Sequence, residues 1–472
     1  MRASARAGAA CGLHAAAFGA NLSLALAVAA ISLVAYWSTL QAPISADASS
    51  QVQTAFSFVR QGNADIDEYV DLGWPLGARR ERIGDHWYAP YTTGDALLFT
   101  PFALVADHVG VEPTTLAGVS TLPKMVASIF VAASVAFVFL ALRLLVPARP
   151  AIFITLAYSL GSNAFAGASQ QYLEHAASMM LGSAGVLIVL RGGRGAPAAA
   201  GMTLGIAGIV RPTNALLFLA VLGWLAAERG RSAATRYILW STPALAFQGT
   251  IGALAFGSPF VMARGQPQPG SIVQGMLGQL ISPSRGLLVY YPWVILALAA
   301  LIASWLGPAD RPRRLLRVIL LVFIGMWVVT GGYRYWWAGY TFGNRYMSDL
   351  APMYALAVAD GWRRGWLKAW VPRAMLSVAV GWSILLQAVG AGLFYFTWHG
   401  HQWDATPSID DTPWRLWSWT DTQWQFVLRR FVNDPGPAMI VEGAVVLACI
   451  TSFAILASRA GPDRPGSART SP

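Results

Sequence analysis

Long apolar stretches recur along the whole chain and constrain its fold more than any other feature. Most of them approach 20 residues, the length that an α-helix needs to cross a bilayer core of about 30 Å. Of the 472 residues, 56% are hydrophobic and only 12% are charged, whereas soluble proteins carry about 25% charged residues. The sequence therefore predicts an all-α polytopic membrane protein.

Hydropathy and helix breakers predict about twelve transmembrane helices. The predicted spans are residues 15–40, 122–146, 151–168, 176–190, a short pair within 198–227, 237–256, 286–306, 315–330, 350–358, 374–396 and 438–457. We expect residues 1–460 to form a single membrane domain. We also expect a first extracytoplasmic loop at 41–121, a tryptophan-rich extracytoplasmic loop at 398–437 and a disordered cytoplasmic tail at 461–472.

The distribution of charge predicts the orientation of the chain. With a cytoplasmic N-terminus, 20 of the 33 lysines and arginines fall in inside segments that are nearly all short. This asymmetry follows the positive-inside rule and places both termini in the cytoplasm. The net charge of +11 is then a consequence of topology and does not indicate a nucleic-acid partner.

The first extracytoplasmic loop contains the candidate catalytic residue Asp47. We expect two helices that lie in the membrane interface, at 49–59 and 96–109, because each has an apolar side but is unsuited to span. Asp47 precedes the first of them, so it is either a general base at the mouth of a cavity or the N-cap of that helix. The acidic residues that follow are predicted to form a solvated loop, and they are Asp65, Asp67, Glu68 and Asp71.

Further candidate site residues lie later in the same loop. His86 and Asp95 have the chemistry to ligate a metal or to hold a sugar. The alternative is that Asp95 caps the second interfacial helix and His86 packs at the surface. Tyr88 and Tyr91 lie between them and are assigned with them to a sugar or acceptor pocket. The sequence requires no cofactor and leaves the participation of a divalent metal open.

Glu174 and His175 lie in a very short outside segment between two predicted spans. Lipid offers such polar groups no partner, so the pair either lines a functional cavity or ties the segment down by hydrogen bonds. Adjacent residues on a helix diverge by about 100°. We therefore expect only one of the two to face a cavity.

Cations at the predicted outer ends of the spans are candidates for holding a phosphate. Arginine presents a planar fork that matches phosphate oxygens, and the alternative is that these side chains snorkel to the lipid headgroups. Tyr346 and its aromatic neighbours suit the C–H face of a sugar, but they equally suit the interfacial aromatic belt. The candidate cations are Lys124, Arg211, Arg285, Arg334 and Arg345.

Together these elements resemble the GT-C superfamily of integral-membrane glycosyltransferases, in particular the bacterial family-39-like enzymes related to aminoarabinose transferases and protein mannosyltransferases. The resemblance covers most of the chain and includes the acid after the first span and the two interfacial helices. Two departures are Tyr-Thr-Thr-Gly at 91–94, where Tyr-Pro-Pro-Gly is expected, and the lack of a large soluble C-terminal domain. The motifs are Tyr91–Leu98, the Gln-x-x-x-His element ending at His175, Arg211-Pro212-Thr213, Ser282–Gly286 and Phe342–Tyr346.

The resemblance implies a GT-C-type bundle and inverting transfer of a sugar from a polyprenyl-phosphate donor. The acceptor would be an extracytoplasmic lipid, glycan or protein, and the enzyme would lie in the bacterial plasma (inner) membrane. Asp47 would activate the acceptor, and the donor phosphate would be held by Arg211, Arg345, Lys124 and Arg285. The sugar or acceptor pocket would be lined by His86, Tyr88, Tyr91, Asp95, Glu174, His175 and Tyr346.

Two other hypotheses compete with the glycosyltransferase. A transporter or flippase of a lipid-linked glycan also needs a charged, aromatic cavity, although transporters often carry broken helices near the bilayer midplane. In this chain the unusual polar residues cluster at the predicted outer surface instead. The third hypothesis is a non-catalytic assembly subunit.

Overall fold

The computed structural model describes residues 2–39, 45–73, 77–171, 174–259, 268–394, 402–434 and 436–460. The predicted cytoplasmic tail at 461–472 lies outside these residues.

The described part of the chain is built almost entirely from helices. The first nine are α1 (Arg2–Trp37), α2 (Ala46–Arg60), α3 (Gly94–His108), α4 (Leu122–Arg143), α5 (Ala148–Ser159), α6 (Glu174–Arg191), α7 (Ala196–Val210), α8 (Ala215–Arg229) and α9 (Arg231–Phe256). They are followed by α10 (Ile272–Ile281), α11 (Leu287–Tyr290), α12 (Val294–Ala303), α13 (Arg311–Gly331), α14 (Ala351–Arg363), α15 (Trp370–Val389), α16 (Gln402–Ala405), α17 (Gln423–Asn433) and α18 (Gly436–Arg459).

Several described helices are long and apolar enough to cross a membrane, by their length and composition. Large apolar side chains are also exposed on their outer faces, as at Val378, which is 73% exposed on α15. Such surfaces favour lipid over water. The prediction of an all-α membrane protein is therefore confirmed in its coarse form. The membrane-length segments are Gly19–Trp37, Ala117–Arg143, Arg311–Gly331, Trp370–Leu393 and Gly436–Arg459.

The predicted span at 286–306 is not one continuous helix. The chain forms the short helix α11, breaks at Tyr291–Trp293 and then resumes as α12. Pro292 lies in the break, where its missing N–H and its ring are incompatible with a helix interior. The single predicted helix is therefore wrong in this region.

Close packing between α7 and α9 depends on two small residues of α7. A Cβ atom at Gly201 would lie 2.0 Å from the backbone oxygen of Tyr237, and one at Gly205 would lie 2.8 Å from the Cβ of Ser241. Glycines one turn apart let two helices approach closely. This contact fixes the end of α7, where Arg211 lies.

Helices are present at both places where interfacial helices were predicted, and each starts earlier than expected. α2 begins at Ala46 because Ser45 is its N-cap, with its Oγ accepting from the backbone N–H of Ala48 across 3.4 Å. Asp47 therefore lies inside the first turn, and its assignment as the cap is wrong. α3 begins at Gly94, so Asp95 also lies inside the first turn and does not cap the helix.

A two-stranded hairpin between these helices was not predicted. Strand β1 (Glu81–Ile83) pairs antiparallel with β2 (His86–Tyr88), and Gly84 adopts a φ of +62° in the connecting turn. Left-handed backbone of this kind favours glycine. Three-residue strands are too short to show a sequence period, so the hairpin was not visible in the pattern.

The tryptophan-rich segment after residue 401 folds against the ends of the spans. Besides α16 and α17 it contains the 3-10 turn Pro413–Trp417. A separate small core, including Trp336, Trp403 and Leu416, joins it to the segment before α14. This segment is therefore a packed cap in its described part.

Candidate functional site

Polar side chains converge where several helices begin or end. Here α3, α6 and α14 begin, α7 ends, and the 3-10 turn Pro212–Asn214 leads into α8. The predicted topology assigns this end of the bundle to the extracytoplasmic side. Two groups of side chains occupy it.

The first group, the His175 cluster, surrounds a buried imidazole. Nδ1 of His175 lies 2.6 Å from Oδ1 of Asp349, and Nε of Arg345 donates to Nε2 of His175 across 2.9 Å. Arg211 donates to Oδ2 of Asp349 through Nη1, which lies 2.9 Å from Nδ1 of His175. Glu174 completes the cluster, with Oε1 3.8 Å from Arg211 and 3.7 Å from Arg345. The ring has an acceptor at one nitrogen and a donor at the other, as a neutral imidazole requires.

The His175 cluster has a buried inner part and an outer part that reaches the surface. The side chains of Arg211 and Asp349 are 8% and 3% exposed, whereas those of Arg345 and Glu174 are 18% and 25% exposed. Both Glu174 and His175 take part in the cluster, whereas the sequence predicted that only one of them would face a cavity. Long arginine side chains from other elements reach both residues, although the two lie adjacent on α6.

The second group, the Asp47 group, consists of Asp47, Arg79 and Tyr91. The hydroxyl of Tyr91 donates to Oδ1 of Asp47, and Nη1 of Arg79 donates to the same hydroxyl across 3.3 Å. The backbone N–H of Arg79 donates to the carbonyl of Ala46 across 3.0 Å, which holds Arg79 at the start of α2. Burial and the charge of Asp47 raise the pKa of Tyr91, so its hydroxyl keeps its proton and remains a donor.

A short run of contacts joins the two groups. Thr92 follows Tyr91 and donates its hydroxyl to the carbonyl of Val210 across 2.7 Å. Val210 is the last residue of α7 and directly precedes Arg211. The path from Asp47 to Arg211 is therefore short. The consecutive residues Tyr91 and Thr92 are hydrogen-bonded to Asp47 at one end and to Val210 at the other, and Arg211 follows Val210 in the chain.

Backbone packing holds the same connection rigid. A Cβ atom at Gly94 would lie 2.3 Å from the carbonyl oxygen of Ile209, so the start of α3 contacts the end of α7 without a side chain between them. Thr93 adds a hydrogen bond of 3.0 Å from its hydroxyl to Oε1 of Gln248 on α9. Helix packing therefore sets the distance between the Asp47 group and the His175 cluster.

Asp95 and Tyr346 lie near the His175 cluster. Asp95 is 1% exposed, and its charged neighbours include Glu174, Arg211 and Asp349. Burial, followed by the charge of Glu174, raises the pKa of Asp95. Burial also raises the pKa of Tyr346, which interacts with the charge of Arg211. Both residues belong to the region that the sequence assigned to a pocket.

His86 lies elsewhere, on the hairpin. Its side chain is 57% exposed, and Nδ1 lies 2.7 Å from Oδ2 of Asp67, whose hydrogen bond raises the pKa of His86. The combination of His86 with the buried Asp95 in one metal or sugar site is therefore wrong. Tyr88 on the same strand forms a backbone bridge with Asp65. Asp65 is only 7% exposed, so its assignment to a solvated loop is also wrong.

A small hollow opens beside the Asp47 group. Its wall is polar on the side of α2 and the loop, and apolar where α9 contributes Ile251 and Ala255. Tyr91 therefore belongs both to the Asp47 group and to the wall of this hollow. The polar wall is formed by Gln51, Thr54, Tyr88, Tyr91 and Thr93.

Lys124 does not take part in the His175 cluster. It is 6% exposed and donates to the backbone oxygen of Thr39 at the end of α1. Thr39 in turn donates to Oε1 of Gln170 across 2.7 Å, and Glu442 of α18 interacts with Lys124 electrostatically. The predicted grouping of Lys124 with the phosphate-binding arginines is wrong, because its side chain joins α1, α4 and α18.

Arg285 belongs to a third set of residues, the Arg285 cluster, with Asp404 and Gln423. Arg285 is 1% exposed and donates to Oδ1 of Asp404 across 2.7 Å and to the backbone oxygen of Ser284 across 3.1 Å. Gln423 donates to Oδ2 of Asp404 across 3.1 Å. Burial raises the pKa of Asp404 to about 6, although Arg285 acts in the opposite direction. The prediction that Arg285 binds a phosphate is wrong because the side chain is enclosed.

Two residues of the site were missed in the sequence. Asp349 is the buried partner of both Arg211 and His175, and Arg79 is a donor in the Asp47 group. The sequence signal of Arg79 is weak: it is a cation in the predicted first extracytoplasmic loop, on the side that the positive-inside rule disfavours. Asp349 had a clearer signal, because it is an acid placed between an arginine and a predicted span.

No protein-family model matches the chain, and no curated protein or solved structure does. The fold and the site define an α-helical membrane protein in which ionisable side chains meet at one end of the bundle. On one side of this region lies a carboxylate that accepts a hydrogen bond from Tyr91 and has the guanidinium of Arg79 3.7 Å away. On the other side lie two arginines held by carboxylates and an imidazole. Such a region combines a group that accepts a proton with groups that bind an anion.

Proposed function

We propose that the protein is an integral-membrane glycosyltransferase that transfers a sugar from a polyprenyl-phosphate donor to an extracytoplasmic acceptor. Asp47 is the general base that removes a proton from the attacking group of the acceptor. Arg211 and Arg345 bind the donor phosphate and stabilise the charge that develops on it as the glycosidic bond breaks. The transfer inverts the configuration at the sugar, because the acceptor attacks from the face opposite to the phosphate.

The observation that carries this proposal is the connection between Asp47 and Arg211. The Tyr91–Thr92 segment holds Asp47 on one side and hydrogen-bonds to Val210 on the other. A transferase needs its base and its leaving-group site on opposite sides of one sugar. The rigid backbone between Asp47 and Arg211 supports such a placement of the base and the leaving group.

Glu174 explains how a phosphate would enter a region that already contains carboxylates. Its Oε1 lies 3.8 Å from Arg211 and 3.7 Å from Arg345, beyond ordinary hydrogen-bonding distance. In the proposed complex a phosphate oxygen takes the place of this carboxylate beside both guanidinium groups, and Glu174 turns to the sugar. His175 and Asp349 then position the arginines without touching the substrate.

The proposal includes the finer topology. Twelve spans of a GT-C-type bundle leave both termini in the cytoplasm and the site on the extracytoplasmic side of a bacterial plasma membrane. The polar head of the acceptor approaches Asp47 beside Tyr91, and the polyprenyl tail lies between spans near the first loop. No residue in these steps requires a metal ion.

A donor panel tests the proposed activity. Purified protein in lipid nanodiscs is incubated with polyprenyl-phosphate sugars and with acceptor lipids extracted from a bacterial envelope, and the products are identified by mass spectrometry. We expect one donor to lose its sugar and one acceptor to gain the same mass. Movement of intact donor across a proteoliposome membrane without transfer would replace the proposal with a flippase. Neither transfer nor movement with any donor would overturn both.

A further inference from the structure

Three possible metal ligands meet where the hairpin contacts the segment before it. They are Asp65, Asp67 and His86, and one ligand atom from each lies within 4.8 Å of the others. They come from two parts of the chain, which the backbone hydrogen bond from Ile66 to Trp87 holds together across 2.8 Å. This place is separate from the His175 cluster and from Asp47.

Asp65 is the residue that points to a ligand. It is 7% exposed, and within the described residues its carboxylate receives no hydrogen bond. A carboxylate with little access to water and no donor is stabilised by a nearby cation. The imidazole of His86 interacts with this carboxylate electrostatically and is itself a common metal ligand.

The distances suit a cation of tetrahedral geometry. Metal–ligand bonds of about 2.1 Å place the ligand atoms of a tetrahedral set about 3.4 Å apart. Nδ1 of His86 now lies 2.7 Å from Oδ2 of Asp67, and the widest separation in the group is below 4.8 Å. Oδ1 of Asp67 accepts the backbone N–H of Trp87 across 2.6 Å, which orients Oδ2 toward the site.

We propose that Asp65, Asp67 and His86 bind one zinc ion. Two carboxylates and one imidazole favour zinc over magnesium or calcium, because the latter prefer sets made only of oxygen ligands. The charge of the two carboxylates matches that of the ion. His86 is 57% exposed, so water completes the coordination from the solvent side.

The ion would join the hairpin to residues 65–67 and thereby hold the wall of the hollow. Tyr88 lies in β2 directly after His86 and Trp87, and it lines the hollow together with Tyr91. Zinc binding therefore restrains a wall of the proposed acceptor site without touching the reacting atoms. This inference does not depend on the nature of the reaction.

Zinc binding to the full-length protein tests the proposal. Tag-free protein in detergent is treated with a chelator and dialysed, and zinc is then titrated in competition with a chromogenic chelator. We expect one zinc per chain and a zinc-dependent rise in Tm for the wild type. For Asp65→Asn and for His86→Ala we expect a loss of more than about tenfold in affinity and no such rise in Tm. Asp85→Asn and His108→Ala are the matched controls and should bind zinc as the wild type does.

Two results would overturn the proposal. One is a wild-type protein that binds no stoichiometric zinc. The other is an Asp65→Asn or His86→Ala protein that binds zinc with unchanged affinity, which would place the ion elsewhere. Asp65→Asn removes no hydrogen bond, and His86 is exposed, so both variants should fold. Their Tm in chelator is compared with that of the chelated wild type to verify this.

Discussion

Two buried arginines of this protein look alike in the sequence and differ in their surroundings. Arg285 donates to Asp404, which Gln423 also contacts, and all three residues are almost completely buried. Arg211 also donates to a buried aspartate, but its cluster continues outward to Glu174 and Arg345, which are partly exposed.

The difference shows what separates an arginine that holds the fold together from one that can meet a substrate. The Arg285 cluster joins α16 and α17 to the segment between α10 and α11, and its three side chains are enclosed. The His175 cluster lies at the convergence of helix ends and is connected to Asp47 through Thr92 and Val210. We therefore assign a structural role to the Arg285 cluster and propose that the His175 cluster binds an anion.

The largest expected effect comes from Asp47→Asn, which tests whether the Asp47 group belongs with the His175 cluster. Loss of the base should lower the rate of sugar transfer about 10²- to 10⁴-fold, with the Tm unchanged because Asp47 is partly exposed. The measurement is turnover of the donor found in the panel. Asp71→Asn, at an exposed acid of the same loop, should keep full activity. Full turnover by the Asp47 variant would remove the base from the mechanism.

Arg345→Ala tests the outer part of the His175 cluster. Without this guanidinium the developing phosphate charge loses a donor, and we expect kcat to fall about 10²- to 10³-fold. Arg334→Ala is the control, since Arg334 lies in the same segment but is exposed and bonds to Gln268 across 3.0 Å. Equal losses in the two variants would mean that the segment, and not the charge at residue 345, matters.

Arg285→Leu should lower the stability of the protein and leave its activity unchanged, whereas the two preceding variants should lower the activity. Removing one partner of a buried ion pair costs about 3–5 kcal/mol of stability, while the protein that remains folded should transfer sugar at the wild-type rate. Denaturant unfolding and activity per folded molecule give the two numbers. A variant that is stable but inactive would place Arg285 with the substrate and cancel the comparison.

The pH dependence of stability gives a finer test of the Arg285 cluster. Because the pKa of Asp404 is raised from 3.8 to about 6, the folded state binds more protons than the unfolded state between these values. The contribution of Asp404 to stability is therefore fully favourable below this window and is lost as the pH rises through it. Asp404→Asn should flatten this part of the stability–pH curve. An unchanged curve would show that another group causes the dependence.

Tyr91→Phe should have the smallest effect of the series. It removes the hydroxyl that donates to Asp47 and receives Arg79, but it keeps the ring in the hollow. A hydrogen bond to a charged group contributes about 1.5–3 kcal/mol, so we expect transfer to slow about tenfold with little change in donor KM. A change confined to KM would indicate that Tyr91 contacts substrate and does not orient the base.

Much of the local structure could be predicted from the sequence. The apolar stretches and the helices α2 and α3 follow from hydrophobic period and helix signals. The hairpin could not be predicted, because its strands have only three residues each. The break at Pro292 had a signal in the proline itself, but the apolar stretch around it was continuous.

The candidate site could be predicted only in part. Its residue types were recognisable, since ionisable groups near apolar spans need partners. Their partners were not, because Arg211 and Asp349 are 138 residues apart and Arg285 and Asp404 are 119 residues apart. No local pattern reports on contacts over such separations.

The sequence by itself determined that this chain is a helical membrane protein with its polar chemistry at helix ends, because lipid permits only backbone that is hydrogen-bonded within a segment. The tertiary structure alone decided which arginine is enclosed and which reaches the surface. That outcome depends on which carboxylate the packing of distant helices brings next to each guanidinium group.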